Sequence, residues 1–453
     1  MAAPSCATVR GTLALLPLED LCHARALART WREEAHSLRE LPAFSNARPA
    51  VALRALPLLD RNFPCLARGS LALQLDEDYP LEDLRLLEGA CGELLGKLSL
   101  LLVEGASDQM LARLLRGCKR LRALEVSDYD FVGGQRWRGQ FLKELPQCLE
   151  SLVLRIFPFI TDAALQCAVA AVPGLQSVEI EGLDELTDAG IRTLASLPSL
   201  RRLRLILTRL GQQPQVSEEA LLFILEGCLA GSASCGRQTR GLEVLELAVP
   251  VGASLHLSGG GSVLGDALSR HVDMRSLVLS GVGGLMDAGL DAIACACPKL
   301  RELVLYRPGE FFSGEGLVRG LSRLAHLERL TLGAVARFQD AFAAVCATCS
   351  EQLVQLKMTR YFSSAGSVDV ASVLRCLRAF PRLETATFSG TFSAEQAQAA
   401  QAALSAPGGL QFCEGTHMQQ VNAQTFQVQF RRQSGVACCN VAFERCLRDQ
   451  DFL

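Results

Sequence analysis

Residues 287–305 read Asp-Ala-Gly-Leu-Asp-Ala-Ile-Ala-Cys-Ala-Cys-Pro-Lys-Leu-Arg-Glu-Leu-Val-Leu, and this stretch decides the fold. Its second half contains the pattern LxxLxL, formed by Leu300, Leu303 and Leu305. In a strand, Leu303 and Leu305 point to the same side and enter the core, while the residues between them face away. Its first half begins with Asp287 and continues with apolar residues at helical spacing. The stretch therefore predicts a helix followed by a strand.

The LxxLxL pattern recurs eleven times along the chain. The copies begin at Leu95, Leu121, Leu149, Leu175, Leu200, Leu242, Met274, Leu300, Leu327, Leu353 and Leu383. Successive copies are most often 26 residues apart, and leucine-rich repeats have periods of roughly 20–29 residues. One strand–helix unit cannot bury its apolar face alone, so neighbouring units must stack in a parallel array. The pattern resembles leucine-rich repeats, and the resemblance implies an α/β solenoid, a ribonuclease-inhibitor-like horseshoe.

Helix starts and cysteines refine this resemblance. Helices are predicted to begin at Thr161, Thr187 and Asp287, where Thr or Asp would supply the N-cap. A cysteine stands three residues before the first leucine at Cys118 and Cys297. These units resemble the cysteine-containing subtype of leucine-rich repeats. The chain has 18 cysteines, many of them at apolar repeat positions, so we predict buried thiols in a reducing compartment.

The repeat divides the chain into four parts. These are a small N-terminal helical segment (1–40), a proline-containing connector (41–84), the solenoid (85–404) and a C-terminal cap (405–453). Two long steps suggest insertions, at about 206–241 and 248–273, and both contain Gly/Ser-rich stretches typical of loops. Insertions in solenoids often lie on the binding face, but a surface loop without a function remains an alternative. Within the cap, residues 424–430 alternate polar and apolar, which predicts a strand.

The N-terminal segment resembles the second half of an F-box, which reads roughly LPxxDLxxAxxVCRxWRxxA. The matching residues are Leu16, Pro17, Asp20, Leu21, Ala24, Leu27, Arg29, Trp31, Arg32 and Ala35. The resemblance implies docking to the adaptor of an SCF-type cullin-RING ubiquitin ligase through Leu16, Pro17, Leu21, Leu27 and Trp31. In the first half, Gly11 falls inside the expected helix, where it costs about 1 kcal/mol relative to Ala. An ordinary amphipathic capping helix would show the same apolar spacing.

The residues between the strand leucines are predicted to line the concave face of the solenoid. The candidate partner-binding residues are Glu125, Glu179, Glu181, Arg202, Arg204, Tyr306, Arg329, Lys357 and Tyr361. This series begins acidic and ends basic, and Tyr and Arg are enriched at binding hot spots. We therefore expect a protein partner whose acidic groups lie towards the later repeats. A solvated charged surface is the alternative.

The sequence contains no complete motif for catalysis or metal binding. The six histidines form no HExxH pair, and Cys346 and Cys349 form a lone CxxC without the second pair that zinc needs. We predict no enzyme activity, catalytic residue, cofactor or metal. The net charge of −3 disfavours nucleic acid as a partner. No apolar stretch reaches the ~20 residues of a membrane helix, so no membrane partner is expected. The expected location is the cytoplasm, with the nucleus as a second possibility.

The order of an F-box-like segment, a connector and cysteine-containing repeats resembles the F-box/leucine-rich-repeat proteins. The resemblance implies a substrate-recognition subunit of a cullin-RING ubiquitin ligase. The alternative is a structural leucine-rich-repeat subunit of a large assembly, axonemal or ribonucleoprotein, with a relic F-box.

Overall fold

The computed structural model describes residues 69–75, 95–102, 107–128, 139–155, 160–182, 185–207, 216–233, 241–249, 255–306, 312–335, 337–360, 372–373, 376–377, 380–390, 417–422, 425–431 and 438–445. Two groups of predicted site residues lie outside these ranges: the F-box-like Leu16, Pro17, Leu21, Leu27 and Trp31, and Tyr361. The chain divides into two compact units. The described residues up to Arg202 belong to the first, and those from Leu203 onward, apart from Ala230–Cys235, belong to the second.

The first unit contains one parallel strand in each repeat. Its strands are β1 (Gly69–Leu75), β2 (Leu95–Leu102), β3 (Ala123–Asp128), β4 (Ser151–Arg155) and β5 (Ser177–Glu181), and each pairs with the next in chain order. Its helices are α1 (Asp108–Gly117), α2 (Asp162–Ala171) and α3 (Asp188–Thr193), with a 3-10 helix at Gln140–Glu144. The register brings the core residues of four strands into one row, formed by Leu98, Leu124, Leu152 and Val178.

The second unit continues the same plan. Its strands are β6 (Arg202–Ile206), β7 (Val244–Ala248), β8 (Leu255–His256), β9 (Ser276–Ser280), β10 (Val282–Gly283), β11 (Glu302–Tyr306), β12 (Arg329–Val335), β13 (Gln355–Arg360), β14 (Thr385–Gly390), β15 (His417–Asn422), β16 (Thr425–Arg431) and β17 (Cys438–Arg445). Strands β7, β9, β11, β12, β13, β14 and β17 pair in parallel in that order, whereas β8 and β10 form a separate parallel pair. The helices are α4 (Glu218–Ala233), α5 (Ser262–Leu268), α6 (Asp287–Ala296), α7 (Gly314–Ser322) and α8 (Phe338–Cys349). Arg202 of β6 and residues 230–233 of α4 are the exceptions that belong to the first unit.

These elements confirm the predicted α/β class and the parallel strand of each repeat. Every described residue at the three apolar positions of the LxxLxL copies is buried, from Leu98 to Phe388. Burial of a leucine contributes about 1.5–3 kcal/mol, so the repeated leucines are the main source of stability. The strand predicted for residues 424–430 is confirmed for the described residues 425–430, which belong to β16. This strand pairs antiparallel with β15 and β17.

The predicted cysteine position is a buried turn between helix and strand. Cys118 and Cys297 are fully buried. The backbone N–H of each donates to a carbonyl of the preceding helix, and its backbone carbonyl accepts the N–H of the first leucine of the LxxLxL pattern. Burial raises the pKa of both thiols to about 12. The same turn holds other buried side chains in other repeats, namely Val172, Leu197, His271 and Leu324. The position therefore selects for burial rather than for thiol chemistry.

The helix starts confirm two predicted caps and correct the third. The hydroxyls of Thr161 and Thr187 accept backbone N–H groups of their own helices, as predicted. The prediction that Asp287 caps its helix is wrong, because Met286 is the N-cap residue and Asp287 is the first residue of α6. The Asp287 carboxylate instead accepts hydrogen bonds from the next repeat, from the Ser313 N–H at 2.9 Å and the Ser313 hydroxyl at 2.6 Å.

The first unit contains the same bond between repeats. The carboxylate of Asp162 accepts the Thr187 N–H at 2.8 Å and the Thr187 hydroxyl at 2.6 Å. In both units a glycine three residues after the hydroxyl residue makes room for this carboxylate. A Cβ on Gly190 would collide with Asp162, and one on Gly316 would collide with Asp287. The Asp and Gly of the repeat therefore act together across neighbouring repeats.

The two predicted insertions contain regular structure. Residues 206–241 include α4, and the Gly/Ser-rich stretch expected to be a loop begins inside it, since residues 231–233 are helical. Residues 248–273 include β8 and α5. Gly259, Gly260 and Gly261 precede α5 with positive φ, a conformation that favours glycine. A Cβ on Gly261 would lie 2.5 Å from a Leu285 methyl, so this glycine permits close packing of adjacent repeats.

Candidate functional site

The candidate site is the set of strand side chains that point away from the leucine core, called here the outward strand face of each unit. The described candidates all lie at these alternating positions. Arg202, Arg329 and Lys357 are exposed, Glu125, Glu181, Arg204 and Tyr306 are half-buried, and Glu179 is buried at 9% exposure. The alternation follows from strand geometry, because residues i and i+2 share a face.

Charges on the outward strand face of the first unit are paired across neighbouring strands. The Arg155 guanidinium lies between two carboxylates, 3.2 Å from Glu125 Oε1 and 3.1 Å from Glu179 Oε1. The Ser99 hydroxyl donates to the other oxygen of Glu125 at 3.2 Å. The predicted acidic character of the early repeats is therefore partly neutralised by Arg155. Arg155 was not among the predicted site residues, although it occupies the seventh position of the repeat copy that begins at Leu149.

The second unit holds two further ion pairs on its outward strand face. Arg204 donates two N–H groups to Glu246. Arg329 donates two to Glu302, at 3.1 and 3.4 Å, and the Ser276 hydroxyl donates to Glu302 at 2.7 Å. Glu246 and Glu302 were also missed, and counting the fifth and third positions of their repeats would have found them.

Glu302 is held in its charged form by these contacts. Partial burial favours a higher pKa, but the hydrogen bonds from Arg329 and Ser276 and the charge of Arg329 outweigh it, so the pKa of Glu302 lies below its ordinary value. Arg329 is correspondingly stabilised as a cation, and its hydrogen bond to Glu302 raises its pKa. Both side chains are therefore fixed in position and charge at neutral pH.

Between these ion pairs lies a strip without charge. Val278 and Val304 pair across β9 and β11, and both are half-buried. Tyr306 follows Val304 by two residues on the same face, and its ring lies over Gly333 of the next strand, where any Cβ would collide with it. The absence of a side chain at Gly333 thus leaves room for the Tyr306 ring.

Strand β13 presents a different environment. Lys357 is exposed, and it pairs in register with Thr331 on one side and Thr387 on the other. Among the described residues, no carboxylate lies within ion-pairing distance of Lys357. The Thr359 hydroxyl oxygen, two residues further along the strand, is buried and has no hydrogen-bond partner in the part of the chain that the structure describes. Among the described residues of the basic, Tyr-bearing end predicted from sequence, Arg204 and Arg329 are thus held by glutamates, and Lys357 has no acidic partner.

The CxxC pair lies on α8. Burial raises the pKa of Cys346 to about 12 and that of Cys349 to about 11, which leaves little thiolate at neutral pH. Within the described ranges, no cluster of three or more His, Cys, Asp or Glu side chains has the geometry to bind a metal ion. No helix among the described residues has the length and apolarity needed to cross a bilayer.

Comparisons with solved structures include distant likenesses to two proteins. No protein-family model matches the chain, and no curated protein matches it. The chain is similar to the crystal structure of the Rad7 and Elc1 complex in yeast, with a TM-score of 0.40 and 16% identity, covering 85% of this chain and 84% of that one. It is also similar to the functional domain of InlJ from Listeria monocytogenes, which includes a cysteine ladder, with a TM-score of 0.30 and 10% identity, covering 94% and 95%. Likenesses at this level carry no argument about what this chain binds.

Proposed function

We propose that this chain is a non-enzymatic protein-binding scaffold, a leucine-rich-repeat solenoid of the ribonuclease-inhibitor-like horseshoe type. Its partner binds the concave face, which the outward strand residues line. The observation that carries the proposal is the order of that face, where Arg155, Arg204 and Arg329 are each held by glutamates of neighbouring strands. Side chains fixed before binding lose little conformational entropy when a partner covers them.

The N-terminal segment gives the scaffold its proposed role. The match of Leu16, Pro17, Leu21, Leu27 and Trp31 to the F-box pattern supports a substrate-recognition subunit of an SCF-type cullin-RING ubiquitin ligase. In this arrangement residues 1–40 bind the ligase adaptor and the strand face holds the substrate. The subunit works without a cofactor, in the cytoplasm and with access to the nucleus.

Co-purification from cells tests this role. The full chain is compared with a Leu21→Ala/Trp31→Ala variant, and the fractions are probed for the ligase adaptor and the cullin. We expect both proteins with the full chain and neither with the variant. Lys357→Glu is the matched control, because it changes the strand face and leaves residues 1–40 intact, so it should retain the adaptor and the cullin.

The alternative function is a structural subunit of a large assembly, axonemal or ribonucleoprotein. Gly11, inside the expected first F-box helix, favours it. In this case adaptor and cullin are absent from every sample, and a constant set of structural proteins co-purifies with both the full chain and the Leu21→Ala/Trp31→Ala variant. That result would overturn the ligase role and leave the scaffold.

A further inference from the structure

We propose that the outward strand face of the second unit binds a protein segment that carries an apolar side chain and, about three residues away, a carboxylate. The apolar side chain covers Val278, Val304 and Tyr306, and the carboxylate pairs with Lys357. This inference rests on the proposed scaffold function and adds the chemistry of the partner.

The apolar side chain of the partner would contact the uncharged strip between the ion pairs. Val278 and Val304 lie side by side and remain half-exposed, so an apolar group placed on them removes further hydrocarbon surface from water. Tyr306 borders them and is positioned over Gly333. The neighbouring carboxylate of Glu302 already accepts three hydrogen bonds. A partner can therefore cover the strip without leaving a buried charge unpaired.

The carboxylate of the partner would complement the positive charge of Lys357. Arg204 and Arg329 are engaged by Glu246 and Glu302, whereas Lys357 has no acidic partner among the described residues. Its neighbours in register are the hydroxyl residues Thr331 and Thr387, which can also donate hydrogen bonds to a carboxylate. A partner's Asp or Glu therefore meets an available cation, with no carboxylate on β12, β13 or β14 to repel it.

The spacing of the two contacts follows from the register. Val304 pairs with Thr331, and Thr331 pairs with Lys357, so the two contacts are two strands apart. Neighbouring strands lie about 4.8 Å apart, which gives roughly 10 Å between the contacts. A segment in the polyproline II conformation advances about 3.1 Å per residue and returns to the same side every three residues. Such a segment crossing the strands therefore places its carboxylate about three residues from its apolar side chain.

A nucleic acid fits this face less well. Its phosphates require a row of cations, and Arg204 and Arg329 on the second unit's described strand face are already held by glutamates. Lys357 alone does not make such a row, so the observations favour a peptide.

A displayed library of random 12-residue peptides, selected on the purified full chain, tests the proposal. We expect enrichment of an apolar residue followed or preceded, at about three positions, by Asp or Glu. The charge reversal Lys357→Glu should replace the acidic preference with Lys or Arg, and a synthetic copy of the selected peptide should bind it at least tenfold more weakly in fluorescence anisotropy. Lys97→Glu is the matched control, since Lys97 is an exposed lysine on β2 of the first unit, and it should leave the motif unchanged.

Three outcomes would overturn the proposal: selected peptides without an acidic preference, an affinity unchanged by Lys357→Glu, or no enriched motif at all. A single-stranded oligonucleotide that displaces the selected peptide in a Lys357-dependent manner would also overturn it. The co-purification experiment is independent, because it tests residues 1–40. A ligase subunit with a different partner chemistry would still bind the adaptor, while a scaffold without a ligase role would still select the peptide.

Discussion

In the first unit, Asp162 holds the start of the next helix by accepting two hydrogen bonds from Thr187. In the second unit, Asp287 does the same with Ser313. The outward strand faces differ, however. Arg155 is shared by two glutamates in the first unit, while the second has separate Arg–Glu pairs, an apolar strip and Lys357, which has no acidic partner among the described residues. The comparison shows that the residues joining repeats are kept while the outward strand face varies.

The largest expected effect on stability comes from replacing the glycine that makes room for the Asp carboxylate of the preceding repeat. Gly316→Ala should lower the free energy of unfolding by about 2 kcal/mol, because the new Cβ collides with the Asp287 carboxylate. Gly190→Ala should cost a similar amount in the first unit, through Asp162. Gly314→Ala is the control in the same helix as Gly316, since its Cβ meets only Asp340 atoms at 3.6 Å and beyond. It should be neutral or stabilising by up to about 1 kcal/mol. Urea denaturation measures all three, and equal effects at 314 and 316 would refute the role of the carboxylate.

The carboxylate itself provides the next test. Asp287→Ala and Asp162→Ala should each destabilise by about 1–2 kcal/mol, because a charged acceptor of two hydrogen bonds is lost. Glu315→Ala, in the first turn of α7 and exposed, removes only the interaction with the helix dipole and should cost at most about 1 kcal/mol. Unfolding curves that differ strongly between the two Asp variants would show that this hydrogen bonding between repeats does not contribute equally in the two units.

The leucine core of the repeats could be predicted from the sequence, whereas the ion pairs on the outward strand faces could not. The LxxLxL spacing identified the core because a strand has only two sides, and every described position of the pattern is buried. The partner of Asp287 could not be predicted, since a first-turn carboxylate can cap its own helix or reach the next one, and only packing distance decides. The pairing of Arg155 with Glu125 and Glu179 depends on lateral strand register. Register is set by the stacking of whole repeats, not by the residues of one copy.

A third test uses His271, the histidine in the buried turn of the described repeats. Leu242 donates its N–H to Nδ1 of His271 at 2.9 Å, and Nε2 lies 3.0 Å from the Leu225 carbonyl oxygen. The ring is therefore neutral, with its proton on Nε2. Burial lowers the pKa of His271, and Arg270 adds to this, against the opposing effect of the Leu225 carbonyl.

The unfolded chain, with an ordinary histidine pKa of about 6.5, then binds more protons than the folded one below that pH. The free energy of unfolding should be greatest above about pH 6.5 and fall as the pH drops below it. Urea denaturation at pH 7.5 and 5.5 measures this. His271→Leu should be less stable at pH 7.5, since the Leu242 N–H loses its acceptor, but should lose less stability on acidification. An equal loss in both proteins would exclude His271 as the cause. The first unit has Cys118 and Val172 at this turn, and neither titrates in this range.

The smallest expected effect tests the difference between the two faces. Arg155→Met should destabilise by about 1 kcal/mol, because it leaves Glu125 and Glu179 without their shared cation. Arg329→Met should cost about half as much, since it removes the cation from one glutamate, Glu302, instead of two. Arg319→Met, at an exposed helix position, is the control and should be neutral. In 1 M NaCl the difference should shrink, because salt screens exposed charges. If Arg155→Met proves no more costly than the control, Arg155 does not stabilise the first unit, and its guanidinium becomes a candidate contact for a partner, as Lys357 is in the second.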